Sequence, residues 1–208
     1  MQTFIKSLSF AILLSSASAT GLSQTKDIYK LTFSDPSNFV IIKSFGSELP
    51  EKIFIIDTTA HWNPQRFWLP ELNLNSPESV TTIRNDEHHP YNYTYLFKDT
   101  ILNACIGDSE KAALSHAASQ VTSQRINLKG VNYKTVSSSD NLKGFYVVTT
   151  EPIFSTDGKY AFIDLTIFQK TKLIQSIEET YFATTCIVYQ KQKNGKWNKI
   201  RIANRLIL

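Results

Sequence analysis

Residues 186–203 read Cys186-Ile187-Val188-Tyr189-Gln190-Lys191-Gln192-Lys193-Asn194-Gly195-Lys196-Trp197-Asn198-Lys199-Ile200-Arg201-Ile202-Ala203. Asn-Gly between two alternating apolar runs predicts a β-hairpin with a two-residue type I′ loop. That loop needs positive φ at both central residues, which Asn tolerates and Gly adopts freely. It sets Lys193 against Lys196, Gln192 against Trp197, Tyr189 against Ile200 and Ile187 against Ile202. Ile187, Tyr189, Ile200 and Ile202 then form a core face. Cys186, Val188, Gln190, Trp197, Lys199, Arg201 and Ala203 form a mixed face, and a slip of one residue would exchange the two.

Working outward, a second turn at Asp157-Gly158 precedes a strand over residues 159–168. Ala161, Ile163, Leu165 and Ile167 share one side of that strand; Tyr160, Phe162, Asp164, Thr166 and Phe168 share the other. Bulk on both sides predicts a central strand covered on both faces. Residues 145–150, rich in Val, Thr and aromatics, predict another strand, and Pro152 interrupts the ladder after it. The expected product is a four-stranded antiparallel meander.

The run Pro152-Ile153-Phe154-Ser155-Thr156-Asp157-Gly158-Lys159-Tyr160-Ala161, followed by Asn194-Gly195-Lys196-Trp197, resembles the end of a family of uncharacterised exported bacterial proteins. The resemblance covers the last third of the chain and implies no activity that can be assigned to a residue. The same run is similar to a β-propeller hairpin, but it occurs once and no repeat of fixed period accompanies it, so a propeller is not expected.

The first 23 of the 208 residues have the pattern of an export signal. Lys6 is the basic start, Leu8 to Leu14 the apolar run, and Ala17-Ser18-Ala19 the small-residue cleavage motif; Gly21-Leu22-Ser23 offers a second cut. The apolar run is too short for a membrane span. No Cys follows either cut, so no lipid anchor is expected. Residues 24–208 are read as a single domain, periplasmic or secreted. A hydrophobic content of 42% with 12% aromatics is that of a folded globule.

Removing Lys6 reduces the net charge of +4 to about +3, which does not indicate nucleic-acid binding. From Lys170 onward, however, eight basic residues face two acidic ones. This cluster reads as protection of an edge strand against pairing between molecules, or as contact with an acidic surface.

Two short β-branched runs, residues 39–42 and 53–56, predict strands. Residues 60–95, interrupted by Pro64, Pro70, Pro77 and Pro90, predict a long loop anchored by Trp62, Phe67, Trp68 and Leu69. A helix is predicted over 109–123, with Asp108 as its N-cap and Ala113, Leu114, Ala117, Ala118 and Val121 as its apolar stripe. A second helical piece is predicted over 95–105.

Chemical signatures are few. No GxSxG elbow, P-loop, GxGxxG or HExxH spacing is present, and no cofactor is expected. His88 and His89, beside Asp86 and Glu87, could hold a metal only if His61 or His116 completed the site, so no metal is expected. A groove on the mixed face, lined by Tyr160, Asp164, Lys199 and Arg201, is the candidate ligand site. A helix or loop covering that face, with the charges paired at its rim, is the competing expectation.

Cys105 and Cys186 are the only cysteines. In an oxidising compartment one bridge between them would stabilise by about 4 to 5 kcal/mol. Two buried, unpaired thiols are the alternative.

These readings predict an α+β domain: an antiparallel sheet packed against one or two helices, with an NTF2-like cone as a variant. The function expected is that of an exported, non-catalytic protein binding a ligand or an envelope partner. The alternative is an envelope hydrolase using the 60–95 loop with His88 or His89.

Overall fold

The computed structural model describes residues 23–45, 53–68, 95–126, 134–140, 142–172 and 177–206. The segment read as an export signal, apart from its last residue, lies outside them, as do Leu69, His88 and His89. Among the described residues the fold is α+β, built on one seven-stranded sheet. Its strands are β1 (Phe54–Ile56), β2 (Lys134–Val136), β3 (Gly144–Thr149), β4 (Ile153–Phe154), β5 (Tyr160–Lys172), β6 (Ile177–Lys191) and β7 (Trp197–Leu206). The order is β2-β1-β3-β5-β6-β7, and β4 continues the line of β3 along β5 beyond the break at Pro152.

The meander β3-β5-β6-β7 is antiparallel throughout. The sheet as a whole is not, which corrects the expectation of an antiparallel sheet: β1 runs parallel to both β2 and β3. Parallel neighbours cannot be joined by a tight turn. Here the connection from β1 to β2 passes through the helices, far beyond what a hairpin pattern can signal.

The Asn194-Gly195 turn differs from the predicted type I′. Among the described residues no non-glycine residue has positive φ, while Gly158 has φ +67° and Gly195 φ +80°. Gly195 N donates to Gln192 O at 2.8 Å, and Gln192 N donates to Lys196 O at 2.8 Å. Gly158 N likewise donates to Ser155 O, but Ser155 N donates to Tyr160 O, one residue further along than in the last hairpin. The Asp157-Gly158 turn carries its left-handed glycine within a four-residue loop, whereas the Asn194-Gly195 turn is a type I turn closed by a left-handed glycine, the three-residue hairpin loop with a bulge in place of the two-residue loop. Asn194 accepts from Lys196 N at 3.0 Å instead of entering the left-handed region.

The longer loop moves the register by one residue near the turn, to Lys191↔Trp197 and Tyr189↔Lys199. A bulge between Val188 and Tyr189 then restores the predicted Ile187↔Ile202. Between those points the faces are the reverse of the expected ones. Trp197 packs with Ile187 and Tyr189, whereas Ile200 packs on the opposite side with Val188 and Cys186.

Each face has its own core. On one, the helix α1 (residues 23–34) and the 3-10 helix Pro36–Phe45 lay Ile28, Tyr29, Phe33, Phe39, Ile41 and Ile42 over Ala161, Ile163, Leu165 and Ile167. Residues 39–42 were expected as a strand. Instead Asp35 accepts from Ser37 N and Pro36 opens a helical turn. Thr32 Oγ1 and Tyr189 Oη share a buried hydrogen bond of 3.1 Å, and Asn38 Nδ2 donates to Thr32 O at 2.8 Å.

On the other face, α2 (Thr100–Cys105) and α3 (Asp108–Gln120) bring Leu102, Leu114 and Ala118 over Phe162, Cys186 and Val188. The piece predicted over 95–105 is a 3-10 turn, Leu96–Lys98, followed by α2, which Asp99 caps by accepting from Ile101 N and Leu102 N. The N-cap of α3 is Gly107, not Asp108. The Asp108 carboxylate instead accepts from buried Lys111 at 2.7 Å.

Candidate functional site

The described part of the 60–95 loop tucks between α3 and the sheet. Asn63 Oδ1 accepts from Gln65 N and opens the 3-10 turn Pro64–Arg66. Ser115 on α3 donates to Pro64 O at 3.1 Å. Trp62 Nε1 donates to Glu151 O at 2.6 Å. Phe67 meets Phe162 edge-on at 5.3 Å, so Trp62 and Phe67 are packing anchors, as expected.

These contacts drive Arg66 beneath the loop, where Nε lies 2.9 Å from Asp164 Oδ2, with side chains 4% and 8% exposed. The Asp164 main chain is fixed from both sides: Thr149 Oγ1 and Thr150 N donate to its carbonyl, and its own N–H donates to Thr150 Oγ1. Burial disfavours the Arg66 charge, but Asp164 together with Cys186 and Tyr181 outweighs it and the guanidinium pKa is raised. Cys186 sits against this pair. Burial, then the Asp164 carboxylate, push its thiol pKa well up, the opposite of a reactive thiolate. This centre fastens loop to sheet and offers no nucleophile.

The four residues expected to line a groove are not gathered in one. Asp164 and Tyr160 lie on the α3 side; Asp164 is buried under the loop, and Tyr160 Oη accepts from Gln190 Nε2 at 3.2 Å. Arg201 is on the same side, paired with the α2 cap Asp99. Lys199 is on the other side, bonded to Asp35, Ser37 and Asn38. The bulge that reverses the faces separates them, and each charge is spent in joining a helical segment to the sheet.

The bridge that the sequence left open is not formed. Both cysteines are free, Cys105 exposed and Cys186 buried. Cys186 points into the Arg66–Asp164 centre, while Cys105, at the end of α2, lies beside the Tyr160 hydroxyl. His61 and His116 are both exposed. Among the described residues no three His, Cys, Asp or Glu side chains converge as a metal site would require.

An open site occurs elsewhere, at the β2 edge of the sheet. A hollow of about 510 Å³ is lined by Asp57, Arg125, Thr135, Val136, Ser138 and Asp140, among others. Asp57 follows β1, and its N–H donates to Val136 O at 2.9 Å. Arg125, 80% exposed, places Nε and Nη2 each 3.0 Å from Asp57 Oδ2. Thr58 Oγ1 donates to Asp57 Oδ1 at 3.3 Å, so the carboxylate is held in turn. Ser138 Oγ donates to Asp140 Oδ2 at 2.5 Å and accepts from Asp140 N at 3.1 Å, which orients the second carboxylate. The arrangement presents one anchored guanidinium, one further carboxylate and several hydroxyls: equipment for binding a small polar molecule.

Sequence reasoning missed this site. Asp57 and Arg125 are 68 positions apart, and the Ser137–Asp140 run reads as an ordinary loop. Its only local signal was the clustering of hydroxyls before Asp140. No protein-family model, no curated protein and no solved structure matches the chain.

Proposed function

We propose that this is an exported, non-catalytic cell-envelope protein that binds a small polar ligand in the hollow beside β2. The observation that carries the reading is the hollow itself. Its volume falls in the range of small-molecule sites, and it converges a few oriented polar groups on one space. The N-terminal leader pattern supports export, as does the likeness of the last third to exported bacterial proteins. Helices laid against a sheet bent by two bulges also support an NTF2-like cone as the finer architecture, with parallel β1 and β2 as additions to it.

Thermal-shift screening of the processed chain against sugars, amino acids, short peptides and phosphates tests the function. A ligand that stabilises the native chain but not an Arg125→Gln variant is the expected result. Stabilisation that persists in Arg125→Gln would place the ligand elsewhere. Export is tested separately by fractionating cells that express the chain with and without residues 1–23.

A further inference from the structure

Part of the hollow is main chain. β2 ends the strand order, so one of its edges pairs with no strand among the described residues. The other edge belongs to β1, where Val136 O accepts from Asp57 N. In an extended chain the N–H and C=O of one residue point to the same side, and those of the next residue to the opposite side. Lys134 and Val136 therefore address β1, and Thr135 turns both of its main-chain groups toward the open edge. Thr135 is exposed and lines the hollow.

Charge narrows the choice. A guanidinium has five N–H donors in a fork that fits a carboxylate. Asp57 engages the Nε and Nη2 side of Arg125, which holds the fork in place while the residue remains 80% exposed. Asp57 is thereby neutralised, and Asp140 is the second acidic group of the lining. An isolated anion meets attraction and repulsion there. A molecule with a carboxylate at one end and an amine at the other meets a partner for each.

We propose that the hollow takes a short extended peptide, whose main chain adds as a strand along Thr135 and whose C-terminal carboxylate meets Arg125. The proposal rests on the ligand-binding reading of the hollow and names its ligand class. Strand addition supplies affinity through main-chain bonds, and capture of a chain terminus supplies orientation. β2 is three residues long, which matches a peptide of similar length.

Calorimetric titration of the processed chain with tri-alanine, tri-alanine amide and tri-alanine methylated at both amide nitrogens tests it, alongside a sugar and inorganic phosphate. Tri-alanine is expected to bind, and amidation or N-methylation to weaken it by about tenfold each, the scale of one lost charge-assisted or main-chain bond. Arg125→Gln should abolish the difference between acid and amide. Thr135→Pro removes the outward N–H but keeps the outward carbonyl, so it should weaken tri-alanine by about tenfold and leave the effect of methylation in place.

Equal binding of acid and amide would overturn the proposal, as would indifference to methylation. If sugar or phosphate binds through Arg125 and tri-alanine does not, the peptide falls and the hollow stands. If none of the probes binds, the peptide proposal falls here and the broader screen decides the hollow. The methylated peptide keeps the test valid even if Thr135→Pro fails to fold.

Discussion

Lys199 and Arg201 stand two positions apart on β7, yet they bond on opposite faces of the sheet, Lys199 to Asp35 after α1 and Arg201 to Asp99 at the cap of α2. In a regular strand, residues two apart share a face. The bulge opposite Val188 and Tyr189 absorbs Ile200 and inverts the relation. Two segments more than sixty positions apart are thus fastened to one strand by neighbouring residues.

The two pairs should be energetically independent. Both are partly exposed, so Lys199→Ala and Arg201→Ala should each destabilise by about 0.5 to 1 kcal/mol. The double variant should lose the sum within about 0.5 kcal/mol. Urea denaturation measures all three. A coupling well above that margin would mean that the two side chains share one site.

The Arg66–Asp164 pair should behave differently because it is buried. Asp164→Asn or Arg66→Met leaves one charge without its partner and should cost about 3 to 5 kcal/mol. Replacing both, Arg66→Met with Asp164→Leu, should recover much of that loss. A double variant as unstable as the worse single variant would contradict the account.

The cysteines should separate by accessibility. Alkylation of the native protein should label Cys105 and spare Cys186, whose thiol is buried and whose pKa is raised well above its ordinary value. The denatured, unreduced protein should show two thiols. A mass two hydrogens lower, with no free thiol, would restore the bridge and refute the observed geometry.

Stability should fall in acid partly through the first hairpin. Asp157 is held at a pKa of about 2, below the usual 3.8, first by Lys159 Nζ and then by the Ser155 hydroxyl. A depressed carboxylate contributes its stability above the unfolded pKa and loses it as pH falls through the folded one. The stability gap between the native chain and Asp157→Asn should therefore be full above about pH 4 and close by about pH 2. Denaturation midpoints across that range check it, and a gap unchanged at pH 2 would rule the assignment out.

Much of the meander was legible because its signals are local. Asp157-Gly158 and Asn194-Gly195 mark turns, Ala161 to Ile167 alternate with the strand period, and Ala113 to Ala118 recur with the helix period. Each depends on residues within a few positions of one another, so the sequence by itself determined these elements, their order and the α+β class. It also determined the two anchors Trp62 and Phe67, whose bulk requires burial wherever the chain allows it.

Only the tertiary structure decided the rest. One bulged residue, Ile200, chose the faces of Lys199 and Arg201, and no periodicity in β7 announces it. The choice of a type I turn over type I′ in the last hairpin depended on a backbone angle at Asn194, a residue compatible with either. The hollow needs Asp57 to meet Arg125 across 68 residues and β1 to lie parallel to β2. Those pairings arise when separate segments compete for the same sheet edge and the same buried area. That competition is settled by the whole chain at once, and no local stretch records its outcome.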